Sequence, residues 1–220
     1  MERPPVHELS AVNGHSLRFK CRATRRIVAE GHEVGNHTWD NPQLSKLSDE
    51  RATDEIEKTQ DAIRTACGIT PVLLRPPYGA LNKPEHVWIP QRLKLNVIYW
   101  SVDTLDWKHP GAATITQRVL AGARPGAIIL QHDIHGQTID AMAAALDGLL
   151  AKGYRLMTIS QAVVAILKNS KKPVKTADIY DALVAQGYKF TFKEAKKVLG
   201  IRLYKMLGVQ PLGGGLFEAK

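Results

Sequence analysis

The sequence predicts an α/β fold of parallel strands joined by helical crossovers, followed by a small basic α+β module. Three observations predict it. Short aliphatic runs alternate with amphipathic stretches between Asn41 and Ile159, the pattern of strands laid side by side with helices between them. Polar residues able to do chemistry follow directly on those aliphatic runs, and the carboxyl ends of parallel strands are where α/β proteins place their sites. The charge is also uneven. Of the net +9, residues 168–220 carry ten lysines and one arginine against Asp178, Asp181, Glu194 and Glu218, a net of +7, which leaves +2 for residues 1–167. A near-neutral body over residues 26–167 and a basic module over 168–220 follow from this, with "KNSKKP" at Lys168–Pro173 as the linker.

The elements read in order as follows. Residues 1–25, "MERPPVHELSAVNGHSLRFKCRATR", show no apolar alternation and are expected to be irregular and poorly packed. "EGHEVGNHTWDNPQL" then places His32 and His37 around a short apolar segment. "LSDERATDEIEKTQDAIRTACG" is a capped helix: Ser48 serves as N-cap, acidic residues crowd the first turn, Ile56, Ile63 and Ala66 form a stripe, and Gly68 ends it. Next come a strand "PVLL", a weak helix broken by Pro90, a strand "NVIYWSV", a helix "ATITQRVLAGA", a strand "GAIILQH", a helix "TIDAMAAALDGLLAKG" and a strand "YRLMTI".

Composition excludes several classes. An apolar share of 44% with 23% charged residues describes a globular chain able to bury a core. No apolar run has the length of a membrane span, and the first twenty residues lack the apolar centre of a secretion signal, so the chain as written is expected in the cytoplasm. Cys21 and Cys67 fit neither a metal spacing nor a disulfide framework.

The strand ends carry the chemistry. After "PVLL" stands Arg75-Pro76-Pro77-Tyr78-Gly79, where the fixed φ of proline stops pairing and stiffens the corner. After "NVIYWSV" stands Asp103-Thr104-Leu105-Asp106-Trp107, and after "GAIIL" stand His132, Asp133 and His135. An arginine, carboxylates, histidines and a tryptophan on one rim are the makings of an active site. Trp88 and Trp100 read as core or edge aromatics, His32 as structural, and His109 as solvated.

These segments resemble the polysaccharide deacetylases of carbohydrate esterase family 4. "NHTWDNPQL" is similar to that family's histidine motif, "RPPYG" to its arginine motif, "VDTLDW" to its aspartate-tryptophan motif and "ILQHDIH" to its leucine-histidine motif, in family order over roughly residues 26–165. The resemblance implies a distorted (β/α) barrel of the NodB-like type and metal-dependent hydrolysis of N-acetyl groups on an amino-sugar polymer such as peptidoglycan or a chitin-like chain. It makes His37 and Asn41 metal ligands, His132 the general acid, Asp106 its ion-pair partner and Arg75 the clamp on a base carboxylate. The backbone N–H of Tyr78 would face the oxyanion, and Trp107 with Leu130 would line the acetyl-methyl pocket. The implied metal is a divalent ion, zinc first, with cobalt or nickel as alternatives.

The chain departs from that family at two points. The first motif, a strand ending in two aspartates and a glycine, supplies base and ligand in the family, and no aspartate precedes Asp40 here. The resemblance begins abruptly near Arg26, which implies first strands lost through truncation, a frameshift or a misplaced start, an incomplete barrel and impaired catalysis. Asn41 stands where many members have a second histidine, and zinc prefers imidazole nitrogen to an amide oxygen, so the metal is expected to be held weakly.

The tail changes character. Thr176 can cap a helix with Ile179, Leu183 and Val184 on one face, "FTFKEAKKVLGIRLYKM" is a second basic helix, and "VQPLGGGLFEAK" is a hairpin. This resembles a winged-helix module, and Lys193, Lys196, Lys197, Arg202 and Lys205 could meet nucleic-acid phosphates. A catalytically inactive protein that binds nucleic acid or protein through residues 168–220 is therefore the alternative to the enzyme.

Overall fold

A computed structural model describes residues 9–170, 172–185 and 208–220, with the single positions 196, 199 and 203. The chain divides into two compact units, one of residues 1–99, 157–179 and 191–220 and the other of residues 100–156 and 180–190.

The first unit is built on four parallel strands in sequential order, β1 (Leu9–Val12), β2 (Glu33–Asn36), β3 (Leu73–Leu74) and β4 (Asn96–Val97). Helix α1 (Gly14–Ala29) connects β1 to β2, α2 (Asp49–Cys67) connects β2 to β3, and α3 (Lys83–Trp88) lies between β3 and β4. β1 pairs in register with β2 from Leu9 opposite Glu33 to Val12 opposite Asn36. This corrects the expectation of an irregular segment before Arg26. Leu17, Cys21, Thr24 and Val28 share one face of α1, and Leu17 packs with Val34 and Ile63. Basic residues crowded among these positions hide the stripe from a sequence reading. The Asn13 side chain caps the helix, accepting from the Ser16 amide at 3.1 Å.

Helix α2 forms as its sequence requires. The Ser48 hydroxyl accepts from Arg51 N, Asp49 and Glu50 occupy the first turn, and Gly68 closes the helix in the left-handed region at φ 71°. Ala52 and Ile56 of α2 pack with Leu44, Leu74, Trp88, Ile89, Leu95 and Val97, each large side chain contributing about 1.5–3 kcal/mol by leaving water. Pro90 does not end the α3 segment abruptly. Residues Ile89–Leu93 continue it as a π-turn, and Lys94 terminates it at φ 56°.

The second unit has a parallel pair, β5 (Val102–Asp103) and β6 (Ile129–Leu130), with α4 (Ala112–Gly122) between them and α5 (Gly136–Ala151) after β6. Val119, Ala145 and Leu149 form its core, flanked by Tyr154 and Leu156. Two expected strands differ here. "NVIYWSV" is not one strand, because β4 pairs with β3 whereas β5 pairs with β6 in a separate sheet. "YRLMTI" pairs with no strand among the described residues: Tyr154 and Leu156 pack on the α4–α5 core, and Thr158 caps α6 (Ile159–Asn169) through the Gln161 amide.

The C-terminal part has β7 (Val174–Lys175), α7 (Thr176–Ala185), β8 (Val209–Gly213) and β9 (Leu216–Ala219), with antiparallel pairing in the order β7-β9-β8. The glycine-turn hairpin is thus present. Most of the second basic helix, with Lys193, Lys197, Arg202 and Lys205, lies outside the described residues. Among the described residues no helix is long and apolar enough to cross a membrane.

Candidate active site

The sequence-predicted residues occupy two clusters, one in each unit. In the first unit His37 follows β2 and Arg75 follows β3, and the strand pairing places them side by side: Asn36 pairs with Leu74, and Arg75 N donates to Asn36 O at 3.0 Å. The His37 ring meets the Arg75 carbonyl through Nδ1. Since a carbonyl only accepts, His37 Nδ1 is the donor in this contact.

The loop after His37 is held from below by polar residues that the sequence reading overlooked. Asn36 is buried, donates to Ile56 O and Gln60 Oε1, and accepts from Thr38 N. The buried Glu55 carboxylate accepts from Trp39 N at 3.0 Å and Asp40 N at 2.9 Å. These bonds fix a turn in which Thr38 and Asn41 have φ values of 64° and 62°, conformations that cost a non-glycine residue about 1–3 kcal/mol. They bring the Asn41 side chain to the Tyr78 hydroxyl at 3.4 Å.

Tyr78 itself has φ 59°, held between Pro76-Pro77 and Gly79, and its ring is 70% exposed. Gly79 N and Ala80 N turn back to Pro76 O and Pro77 O, whereas no acceptor for Tyr78 N is found among the described residues. An amide left unpaired on a stiff corner suits an oxyanion donor.

The second cluster surrounds Asp106, which is fully buried. Its Oδ1 lies 2.8 Å from His132 Nδ1 and 3.0 Å from Trp107 N, and its Oδ2 lies 2.6 Å from His132 N and 2.9 Å from Thr138 Oγ1. Burial alone pushes this carboxyl up, but the hydrogen bonds from the His132 ring, the His132 amide and the Thr138 hydroxyl outweigh it and hold Asp106 below the usual carboxylate range. The ionised carboxylate can only accept, so the proton of His132 sits on Nδ1 and Nε2 is the nitrogen able to exchange a proton with a substrate.

Leu105 and His109 flank the Asp106 turn at φ 51° and 54°. Trp107 is 48% exposed with the Lys108 ammonium over its ring at 4.9 Å, and Leu130 is buried at the end of β6. Gln137 braces this turn, accepting from Gly111 N at 2.6 Å and placing Nε2 3.3 Å from Asp106 O and 2.9 Å from His109 Nδ1. His109, read as solvated, is exposed but bonded, and its ring meets that of His135 at 4.7 Å between centroids. Thr138 and Gln137 carry no sequence signal beyond standing one turn after "HDIH".

The implied metal finds an incomplete donor set. A catalytic zinc takes about three protein ligands, and the first cluster offers His37 Nε2 and the Asn41 side-chain oxygen. Among the described residues no group of three or more His, Cys, Asp or Glu side chains could hold an ion. The described residues alone therefore do not fit a tightly held divalent metal.

Comparison with known proteins gives the same family as the motifs. The profile for "Polysaccharide deacetylase" matches residues 10–96, so the likeness begins at β1 and not near Arg26. The chain is 44% identical over 161 residues to the peptidoglycan-N-acetylglucosamine deacetylase PgdA of Listeria monocytogenes, covering 73% of this chain and 34% of PgdA. The structure of the peptidoglycan deacetylase PdaC from Bacillus subtilis superimposes with a TM-score of 0.67 at 38% identity, covering 71% of this chain and 75% of that one. A carbohydrate esterase family 4 pseudoenzyme from Bacillus anthracis superimposes with a TM-score of 0.66 at 31% identity, covering 71% of this chain and 55% of that one. The chain thus spans about a third of the length of PgdA. With four motifs in order, an α/β fold matching solved deacetylases and this degree of identity, the chain belongs to the polysaccharide deacetylase family, carbohydrate esterase family 4.

Proposed function

We propose that this chain is built for N-deacetylation of an acetylated amino-sugar polymer, with peptidoglycan as the first substrate class and chitin-like chains as the second. The observation that carries the reading is the Asp106–His132 pair, whose 2.8 Å contact fixes a proton on His132 Nδ1 and leaves Nε2 as the position that exchanges one. In amide hydrolysis water adds to the acetyl carbon, and the C–N bond breaks as the departing nitrogen receives a proton. His132 delivers that proton from Nε2. The Tyr78 amide, for which no acceptor is found among the described residues, is assigned to the charge that develops on the carbonyl oxygen, and Trp107 with Leu130 is assigned to the acetyl methyl. Arg75 is assigned to clamping a carboxylate base, and His37 and Asn41 to partial ligation of a divalent ion, zinc before cobalt or nickel.

The 220 residues as written are proposed to be a poor catalyst. No aspartate precedes Asp40 to act as base or ligand, and loss of a general base alone costs about a hundredfold to ten-thousandfold. The test is acetate release from N-acetylated peptidoglycan and chitin fragments, with zinc, cobalt or nickel added, by this chain and by a version carrying a strand ending in Asp-Asp-Gly ahead of β1. Turnover is expected only in the extended version and is expected to vanish with His132→Ala. Metal-dependent turnover by the unextended chain overturns the assigned impairment, and turnover indifferent to His132 overturns the acid.

The incomplete donor set and the likeness to a pseudoenzyme favour a second reading, a silent member acting through its basic module. The β7-β9-β8 sheet after α6 is compatible with a winged-helix arrangement that would bind nucleic acid by phosphate contacts. Duplex DNA binding that weakens steeply with salt supports it, and no binding at low salt removes it.

A further inference from the structure

Beyond the pair itself, the Asp106 carboxylate is supported by a residue of a different element. Of its four donors among the described residues, Trp107 N belongs to its own turn, and His132 supplies two through ring and amide. The fourth is the hydroxyl of Thr138 on α5, which is 2% exposed and donates to Oδ2 at 2.9 Å. Among the described residues it is the one side-chain donor to the carboxylate apart from the histidine that it orients. The amide of Thr138 accounts separately for the helix start, donating to His135 O at 2.9 Å, so the hydroxyl is not needed for that turn.

We infer that Thr138 is a positioning residue for the acid pair: its hydroxyl saturates the outer oxygen of Asp106 so that the inner oxygen is presented to His132 Nδ1. The geometry gives the reason. A carboxylate with one oxygen doubly occupied and the other facing Trp107 N and His132 Nδ1 has a single rotation about its side chain that satisfies every donor. Remove the hydroxyl, and Oδ2 keeps only the His132 amide. The carboxylate can then turn in its cavity, and Nδ1 loses the alignment that fixes the tautomer. The lowered Asp106 carboxyl agrees with this, since the Thr138 bond is among its causes. This inference rests on the deacetylase reading for its catalytic meaning, though not for its geometry.

The test separates hydroxyl from volume and is read on the full chain without turnover. Thr138→Val keeps the shape and removes the donor, whereas Thr138→Ser keeps the donor and removes a methyl. In ¹⁵N-labelled protein the His132 Nδ1–H proton bonded to Asp106 is expected as a slowly exchanging downfield signal, assigned by its loss in His132→Gln. Thr138→Val is expected to abolish or shift that signal, and Thr138→Ser to retain it. If the valine variant does not fold, Thr138→Ala is read in its place. An unchanged signal in Thr138→Val or Thr138→Ala overturns the inference, as does its loss in a folded Thr138→Ser. In the extended chain, Thr138→Val is expected to lower kcat about tenfold or more with little change in KM. A moved signal together with an extended chain that never releases acetate from any N-acetylated glycan refutes the deacetylase reading and leaves the positioning role standing.

Discussion

Asp106 holds His132 by two separate bonds, one oxygen on the ring at 2.8 Å and the other on the backbone amide at 2.6 Å. A carboxylate that grips both the ring and the main chain of one residue fixes where that ring stands as well as which nitrogen is protonated. The buried position of Asp106 makes the arrangement sensitive to small changes, because an unmatched donor there has no water to turn to.

Asp106→Asn tests this directly. An amide cannot accept from all four donors and brings two of its own, so the variant is expected to lose about 1–3 kcal/mol of stability. In any preparation that releases acetate it is expected to fall by about a hundredfold to ten-thousandfold. Urea denaturation and acetate assays read the two effects. A folded Asp106→Asn protein with an unaltered rate removes Asp106 from the proton-transfer machinery.

Acid should weaken the fold through the same residue. The folded carboxyl lies below its ordinary value of 3.8, so the unfolded chain binds the proton more readily. The stability that Asp106 contributes is then fully present above that ordinary value and is lost as pH falls through the lowered folded one. The urea midpoint of the wild type is expected to drop more steeply below about pH 4 than that of Asp106→Asn. Parallel pH profiles for the two proteins would count against it.

Gly14 should tolerate no side chain. A Cβ there would stand 2.1 Å from Trp39 Cε3 and 2.9 Å from Thr59 Oγ1, beside the main-chain bond from Gly14 N to Thr38 O at 3.0 Å. Gly14→Ala is expected to destabilise by about 1–3 kcal/mol through overpacking. A midpoint matching the wild type would show that β1 and α1 do not approach the histidine loop in this way.

Glu55→Ala should loosen the His37–Asn41 turn, since it strips the Trp39 and Asp40 amides of their acceptor. The expected cost is about 1–3 kcal/mol, with faster hydrogen exchange at those two amides. Exchange rates unchanged at both positions would mean that the turn holds without Glu55.

Much of this protein is local in origin. The strand–helix alternation, the capped helix α2, the glycine-turn hairpin and the placement of His37, Arg75, Asp106 and His132 just past strand ends follow from periodicity and from residues whose backbone preferences act over a few positions. Other features needed distant partners. α1 shows itself only through packing on Val34 and Ile63, because its basic residues blur the stripe. "NVIYWSV" divides because its two ends find different neighbours, β3 and β6, and no local preference records which neighbour a strand will meet. Tyr154 and Leu156, apolar enough for a strand, spend that character on the α4–α5 core instead. The supports of the site are of the same kind: Thr138 is 32 residues from Asp106 and Glu55 is 16 from Trp39. A threonine or glutamate is common on any helix. What makes these two matter is the buried donor or acceptor that folding brings opposite them, which a sequence lists only as residues far apart.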